Sequence, residues 1–129
     1  MIKSRNGMIF VFGSNLSGIH GAGAARFAHR NKGAVMGKGI GLQGQSYALP
    51  TKNLKISFMS LNEVEVHIDA FKDFAMDHPD LDFQVTQVAC GLAGFTKEQI
   101  APLFKSSPSN CYIDMELQPL LGDSHNYWM

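Results

Sequence analysis

Met8-Ile9-Phe10-Val11-Phe12, closed by Gly13-Ser14-Asn15 and followed by Gly18-Ile19-His20-Gly21-Ala22-Gly23, carries most of the architectural information in the chain. An unbroken apolar run between Gly7 and Gly13 predicts a central strand buried on both faces, because a strand with one wet face alternates instead. The next segment, Ala24-Ala25-Arg26-Phe27-Ala28-His29-Arg30, is alanine-rich and favours a helix. Arg26, Arg30 and Lys32 complement the negative end of its dipole, and Gly33 is suited to stop it. The order is strand, glycine loop, helix.

Further along, Gly37-Lys38-Gly39-Ile40-Gly41-Leu42-Gln43-Gly44 reads as a loop, since glycine at this density weakens either regular structure. Ser46-Tyr47-Ala48-Leu49-Pro50 reads as a short strand that Pro50 ends, with Thr51 and Lys52 at its carboxyl end. Ser60 and Glu63 have capping-box spacing, and Val64, Ile68, Phe71 and Ala75 share one face of the helix they open, which runs to about Asp77. A turn at His78-Pro79-Asp80 leads into a strand over Phe83–Val88. Thr96 and Gln99 form a second capping box for a helix through Phe104, whose last turns Pro102 kinks or shortens. Cys111–Asp114 reads as the last strand, and the pattern of 115–129 assigns no element. Alternation of helices and strands predicts an α/β class: one domain over 1–129, three layers α/β/α, with a largely parallel mixed sheet.

Composition limits the functions. The 129 residues, 45% of them hydrophobic, suffice for one core without disulfide staples. Eleven basic residues balance eleven acidic ones, so strong binding to unmodified nucleic acid is not expected, and any such ligand has to be gripped locally. No apolar run is long enough to span a bilayer and no signal-like segment opens the sequence, which predicts a cytoplasmic protein with no membrane partner. Cys90 and Cys111 lack metal-ligand spacing and read as reduced thiols in buried strands; no metal or cofactor is expected.

In open α/β sheets, ligands sit beyond the carboxyl ends of the strands. The three glycine clusters are expected there. The loop Gly13–Gly23 precedes a helix, so its backbone N–H groups and the helix dipole can face an anion, and Gly91–Gly94 repeats the arrangement before Thr96. Two such loops suit two phosphates. The spacing Gly18-x-x-Gly21-x-Gly23 is not the dinucleotide fingerprint, and 35–44 holds no acid for a ribose; a Walker lysine–serine pair is missing too. Nicotinamide dehydrogenases and P-loop ATPases are disfavoured.

Taken in order, Asn15, Gly21-Ala22-Gly23-Ala24-Ala25, Leu49-Pro50-Thr51-Lys52 and Cys90-Gly91-Leu92-Ala93-Gly94 resemble the motifs of the macrodomain family. The likeness runs roughly from Ile9 to Ile113 and is greatest to the branch of the terminal ADP-ribose protein glycohydrolase and the antitoxins that strip ADP-ribose from DNA. The resemblance implies binding of ADP-ribose, with Asn15 at the distal ribose, Gly21-Ala22-Gly23 on the diphosphate side and Gly91-Leu92-Ala93-Gly94 at the second phosphate. It also implies that Lys52 acts on the anomeric carbon, a role an amine can fill once desolvated and deprotonated. Ala93 stands where the protein-directed enzymes carry an aspartate, as a small residue does in the DNA-directed relatives.

Other candidates follow from position alone. Gly13, Ser14 and Cys90 flank the loops, His20 lies inside the first and can bind phosphate or donate a proton, Gln43 can reach a ligand amide, and Phe95 can stack on a base or pack on the next helix. Two functions stay open: an ADP-ribosyl hydrolase using Lys52, and a silent module that binds or sequesters ADP-ribose or a related nucleotide. The third is a nucleotide-binding α/β domain of another kind, or a structural domain whose glycines only shape turns.

Overall fold

The computed structural model describes residues 2–91 and 94–129. Among them the strands are β1 (Ile2–Lys3), β2 (Ile9–Asn15), β3 (Gly41–Gln43), β4 (Ser46–Lys52), β5 (Phe83–Val85), β6 (Cys111–Asp114) and β7 (Asn126–Trp128). They form one sheet in the order β1-β7-β6-β5-β2-β4-β3. Every neighbouring pair is parallel except β3 with β4. The helices are α1 (Gly23–Asn31), α2 (Leu61–Asp77), α3 (Lys97–Ile100), which tightens into a 3-10 turn over Ala101–Phe104, and α4 (Gln118–Leu121). The α/β class and the mostly parallel mixed sheet expected from the sequence are both present.

Apolar periodicity explains the layers. Ile9, Val11, Leu49, Phe83 and Val85 point to one face, where Val64, Ile68, Phe71 and Ala75 of α2 and Ile100 of α3 complete the main core. Phe10, Phe12 and Ala48 point to the other, where they meet Ala25 and Ala28 of α1 and Ala34 beyond it. The capping box of α2 is complete: Ser60 Oγ accepts from Glu63 N at 3.2 Å and Glu63 Oε1 accepts from Ser60 N at 3.1 Å. Thr96 and Gln99 do the same for α3 at 3.2 and 3.0 Å. No helix among the described residues is long and apolar enough to cross a membrane.

The path of the chain locates a crevice. From β2 it passes along α1 to β4 on one side, then crosses by α2 to β5 on the other side of β2 and continues outward to β6 and β7. Direction therefore reverses at β2. Loops after β4 and β5 diverge there, leaving the carboxyl end of β2 uncovered, which is where doubly wound sheets bind ligands.

Several expectations are corrected. Part of the predicted loop 37–44 is strand β3, whose residues pair with Ser46–Ala48. Pro50 does not end β4, which runs on to Lys52; Pro50 pairs with Ser14 of β2, while on its other flank β3 has already stopped at Ala48. β5 ends at Val85 rather than Val88: Thr86 still donates both N (3.3 Å) and Oγ1 (2.6 Å) to Val11 O, and beyond it Val88 N donates back to Thr86 O at 2.8 Å. Only the start of the second glycine cluster reaches the carboxyl ends: Gly39 packs on Asn15, but Gly44 packs on Gly33 at the opposite end. The tail that showed no pattern supplies α4 and β7, and β7 lies between β1 and β6.

Candidate functional site

Two adjoining cavities, of about 320 and 210 Å³, open at the carboxyl ends of β2 and β4 and share Gly13, Thr51 and Lys52. The larger extends under Thr86, Gln87, Val88, Ala89, Cys90 and Gly94 and touches Phe58. The smaller extends under Ser14, Asn15, Ile19, Gly21 and Ala22 toward Ile56. At the floor, a side chain on Gly13 would meet Thr51 Oγ1 at 3.4 Å and Ala89 N at 3.8 Å, so glycine there deepens the cleft between the two walls.

The first wall is held by its own polar groups. Asn15 is buried, and its Oδ1 accepts from Ile19 N at 2.9 Å while its Nδ2 donates to Ile19 O at 2.9 Å. Ser14 Oγ donates to Gly39 O at 2.5 Å. A Cβ on Gly39 would lie 2.2 Å from Asn15 O, and one on Gly18 would lie 2.3 Å from the carbonyl carbon of Gly37. Glycine at these positions lets the 14–23 and 37–40 segments lock backbone against backbone. Asn15 thus shapes the loop and lines the cleft at once.

This loop delivers the start of α1. Its N-cap, Ala22, has no side-chain oxygen to offer, and no acid stands in the first turn. The first N–H groups of a helix have no intrahelical acceptor. Ala22, Ala24 and Ala25 all line the cleft, so uncapped donors and the positive end of the dipole meet it. Gly23 sits at φ +56°, a conformation that glycine adopts without strain.

Lys52, paired with Asn15 across the β2–β4 register, is half-buried. Its Nζ lies 4.8 Å from the centroid of the Phe58 ring, and it is the only charged side chain among the described lining residues. The following turn is held by Asn53 Oδ1, which accepts from Lys55 N at 2.9 Å and Ser57 N at 3.1 Å. Ile56, at its tip and at the cleft rim, has φ +59°, and Ala89 on the opposite wall has φ +61°. Left-handed backbone at non-glycine residues costs energy, and in both cases it falls at this cleft.

The second wall departs from expectation. Cys90 is not in a strand: it is half-buried in the loop after β5, lines the cleft, and makes a lone bridge with Phe95. Gly91 and Gly94 lie in this loop, with Gly94 N donating to Gly91 O at 3.1 Å; Leu92 and Ala93 fall outside the described residues. A Cβ on Gly94 would sit 2.1 Å from Ala89 O, so the loop closes only over glycine. The helix behind it offers little to a phosphate, because α3 is one turn long and its capping box already serves its start. Phe95 packs against the main core rather than lining the cleft.

His20 and Gln43 are also corrected. The His20 ring is buried, with Nε2 2.9 Å from Val35 O and 3.1 Å from Lys38 O, and stands edge-on to Phe12. It lines neither cavity. Gln43 is buried with its amide tied to Val35 N, Lys38 O and Gly41 O. Both hold the second glycine segment. Thr51, Phe58, Thr86, Gln87 and Ala89 line the cleft without having been singled out; only Thr51, beside Lys52, carried a positional signal.

The two thiols differ in accessibility. Burial pushes the Cys111 thiol up to about 12; it pushes Cys90 up as well, opposed by the charge of Lys97. Alkylation of the folded protein at mildly alkaline pH is therefore expected to reach Cys90 first and Cys111 only after denaturation, as read by mass spectrometry of digests. Equal rates would show that the loop after β5 does not stand apart from β6.

The fold and cleft define an α/β domain with a strand-end site built on an uncapped helix start and one lysine. Compared with known proteins, the chain matches no family model, no curated protein and no solved structure.

Proposed function

We propose that the cleft binds an ADP-ribose-like nucleotide and that Lys52 acts on the anomeric carbon of its distal ribose. The observation that carries this reading is the meeting, in one cavity, of the uncapped, acid-free start of α1 and Lys52, the only charged side chain among the described lining residues. A diphosphate suits the first, since backbone donors and a helix dipole stabilise an anion without a bulky side chain. Two joined cavities suit a ligand of two halves around that diphosphate. The macrodomain resemblance supplies the identity of the halves, and the lining residues that carry it, Asn15, Gly21, Lys52, Cys90 and Gly94, all border this cleft.

In the hydrolytic reading, Lys52 Nζ bonds to the anomeric carbon as the bond from that carbon to the modified group breaks, and the leaving atom takes the electron pair and a proton. Water then adds to the carbon, and the lysine leaves with its proton restored. No acidic side chain lines the cleft among the described residues, so water supplies and removes these protons. A silent ADP-ribose-binding module is the second reading, favoured by that same lack of an acid.

Binding is tested by Gly21→Phe. A Cβ at Gly21 would meet only Ile19, at 3.8 Å, and no positive φ is strained, unlike at Gly23. The variant is expected to fold normally yet bind ADP-ribose at least about tenfold more weakly by calorimetry, roughly 1.4 kcal/mol. Unchanged affinity would place the ligand elsewhere.

A further inference from the structure

Away from the cleft, a cavity of about 290 Å³ lies on the α1 side of the sheet, where Arg5, Phe10, Phe27, Lys32, Gln84 and Trp128 converge. On β5, Phe83 and Val85 enter the main core, so strand alternation turns Gln84 to the opposite face, in register with Phe10. α1 covers Phe10 and Phe12 there, but Gln84 and Trp128 belong to neither core cluster. Gln84 is only 4% exposed, and it lines this cavity. An amide in a cavity wall offers a donor and an acceptor to whatever fills the cavity.

The walls specify the shape of that occupant. Trp128 Nε1 donates to Val85 O at 2.9 Å, which fixes the indole in the cavity wall. Phe27 is 45% exposed and tilts against Phe10 at 5.1 Å. The Arg5 guanidinium lies 5.9 Å from the centre of the Trp128 ring, and Lys32 provides a second cation; no acid is among the described residues that line the cavity. Planar aromatic walls, an amide with both hydrogen-bonding roles and two cations together match a flat heterocycle carrying an anion.

We propose that this cavity binds one nucleotide, with its base stacked on the aromatic wall, the edge of the base on the Gln84 amide, and its phosphate between Arg5 and Lys32. Glutamine pairs with base edges in this way, and aromatic platforms hold bases of any sequence. The volume is near the lower limit of ligand cavities, about 300 Å³, which favours a single nucleotide over a dinucleotide. The nucleotide is either a free monophosphate or one unit of a single strand. This site stands independently of the reading of the cleft.

Trp128 is the only tryptophan in the chain, so intrinsic fluorescence reports on this cavity directly. The experiment titrates the full chain with the four nucleoside monophosphates and, separately, with short single-stranded oligonucleotides. A saturable change is expected with at least one of them; saturation by monophosphates identifies a free nucleotide, and saturation by oligonucleotides alone identifies a strand. Gln84→Leu, which keeps the bulk and removes the amide, is expected to weaken it about tenfold or more, a loss of roughly 1.4 kcal/mol. Phe27→Ala, at an exposed position that tolerates truncation, is expected to weaken it too, whereas Gly21→Phe leaves it unaltered. No saturable change with any ligand would overturn the proposal. So would a titration that persists unaltered in Gln84→Leu and Phe27→Ala, or one that Gly21→Phe abolishes, which would assign the signal to the strand-end cleft.

Discussion

Lys52→Ala is expected to lower the rate of ADP-ribose release from a modified substrate by about 10²–10⁴-fold, the usual contribution of a positioned group that takes part in the chemical step. Binding of free ADP-ribose is expected to weaken by less than about tenfold, because the backbone donors at the start of α1 remain. Lys52→Arg separates the lysine's charge from its nucleophilicity: guanidinium stays protonated, so binding is expected to recover while release does not. The paired measurement uses calorimetry for binding and chromatography for released ADP-ribose, on DNA-linked and protein-linked substrates. Release at an unchanged rate in Lys52→Ala would make the lysine a structural neighbour of Phe58, whose ring lies 4.8 Å from its Nζ. If the unsubstituted protein releases nothing from either substrate but binds ADP-ribose, the silent module is the right reading.

The sequence carried the parts of this fold that local chemistry determines. The apolar run before Gly13 could only be a deeply buried strand, and β2 is. Both capping boxes were legible because each is made by residues three apart, and the buried face of α2 followed from the helical repeat. Pro102 marked the place where α3 gives way to a 3-10 turn. Where the outcome depended on distant partners, the sequence was silent or misleading. Glycine opens β3, and that strand exists because β4 pairs with it. β5 stops at Val85, and Thr86 Oγ1 beyond it finds Val11 O, from a strand far back in the chain.

The candidate site divides in the same way. Glycine clusters and Lys52 pointed to the carboxyl ends of the strands, since φ > 0 and close backbone approach leave a mark in residue type. His20 and Gln43 sit in or beside those clusters and were candidates for that reason, yet both side chains turn inward to bind backbone carbonyls of the second glycine segment. Position in a loop gives no direction for a side chain. The lining contributed by Thr86 and Gln87 was hidden for a related reason: the pattern to Val88 reads as one continuous strand, whereas β5 ends at Val85 and the residues after it border the larger cavity.

Phe71→Ala is expected to destabilise the domain by about 3–5 kcal/mol, the range for emptying a fully buried phenylalanine site. Phe71 is wholly buried on α2 and meets Tyr47 of β4 at 5.0 Å and Phe83 of β5 at 5.3 Å, both edge to face. Those contacts add to the area term, since such ring pairs are worth about 0.5–1.5 kcal/mol beyond burial. Against a total stability of about 5–15 kcal/mol the loss is a large fraction, and a fall in melting temperature of about 10–20 °C follows for a chain of this size. The position matters as much as the amount. β4 ends in Lys52 and β5 leads into the Thr86–Gly94 wall, so α2 ties together the two strands whose ends frame the cleft. At temperatures where Phe71→Ala is still folded, ADP-ribose is therefore expected to bind more weakly and to raise its melting temperature less than it does for the unsubstituted protein. Phe27→Ala is the control, because Phe27 is 45% exposed on α1 and its truncation leaves no comparable void. Thermal unfolding followed by circular dichroism gives the comparison, and a loss under about 1 kcal/mol for Phe71→Ala would contradict the central place assigned to it in the core.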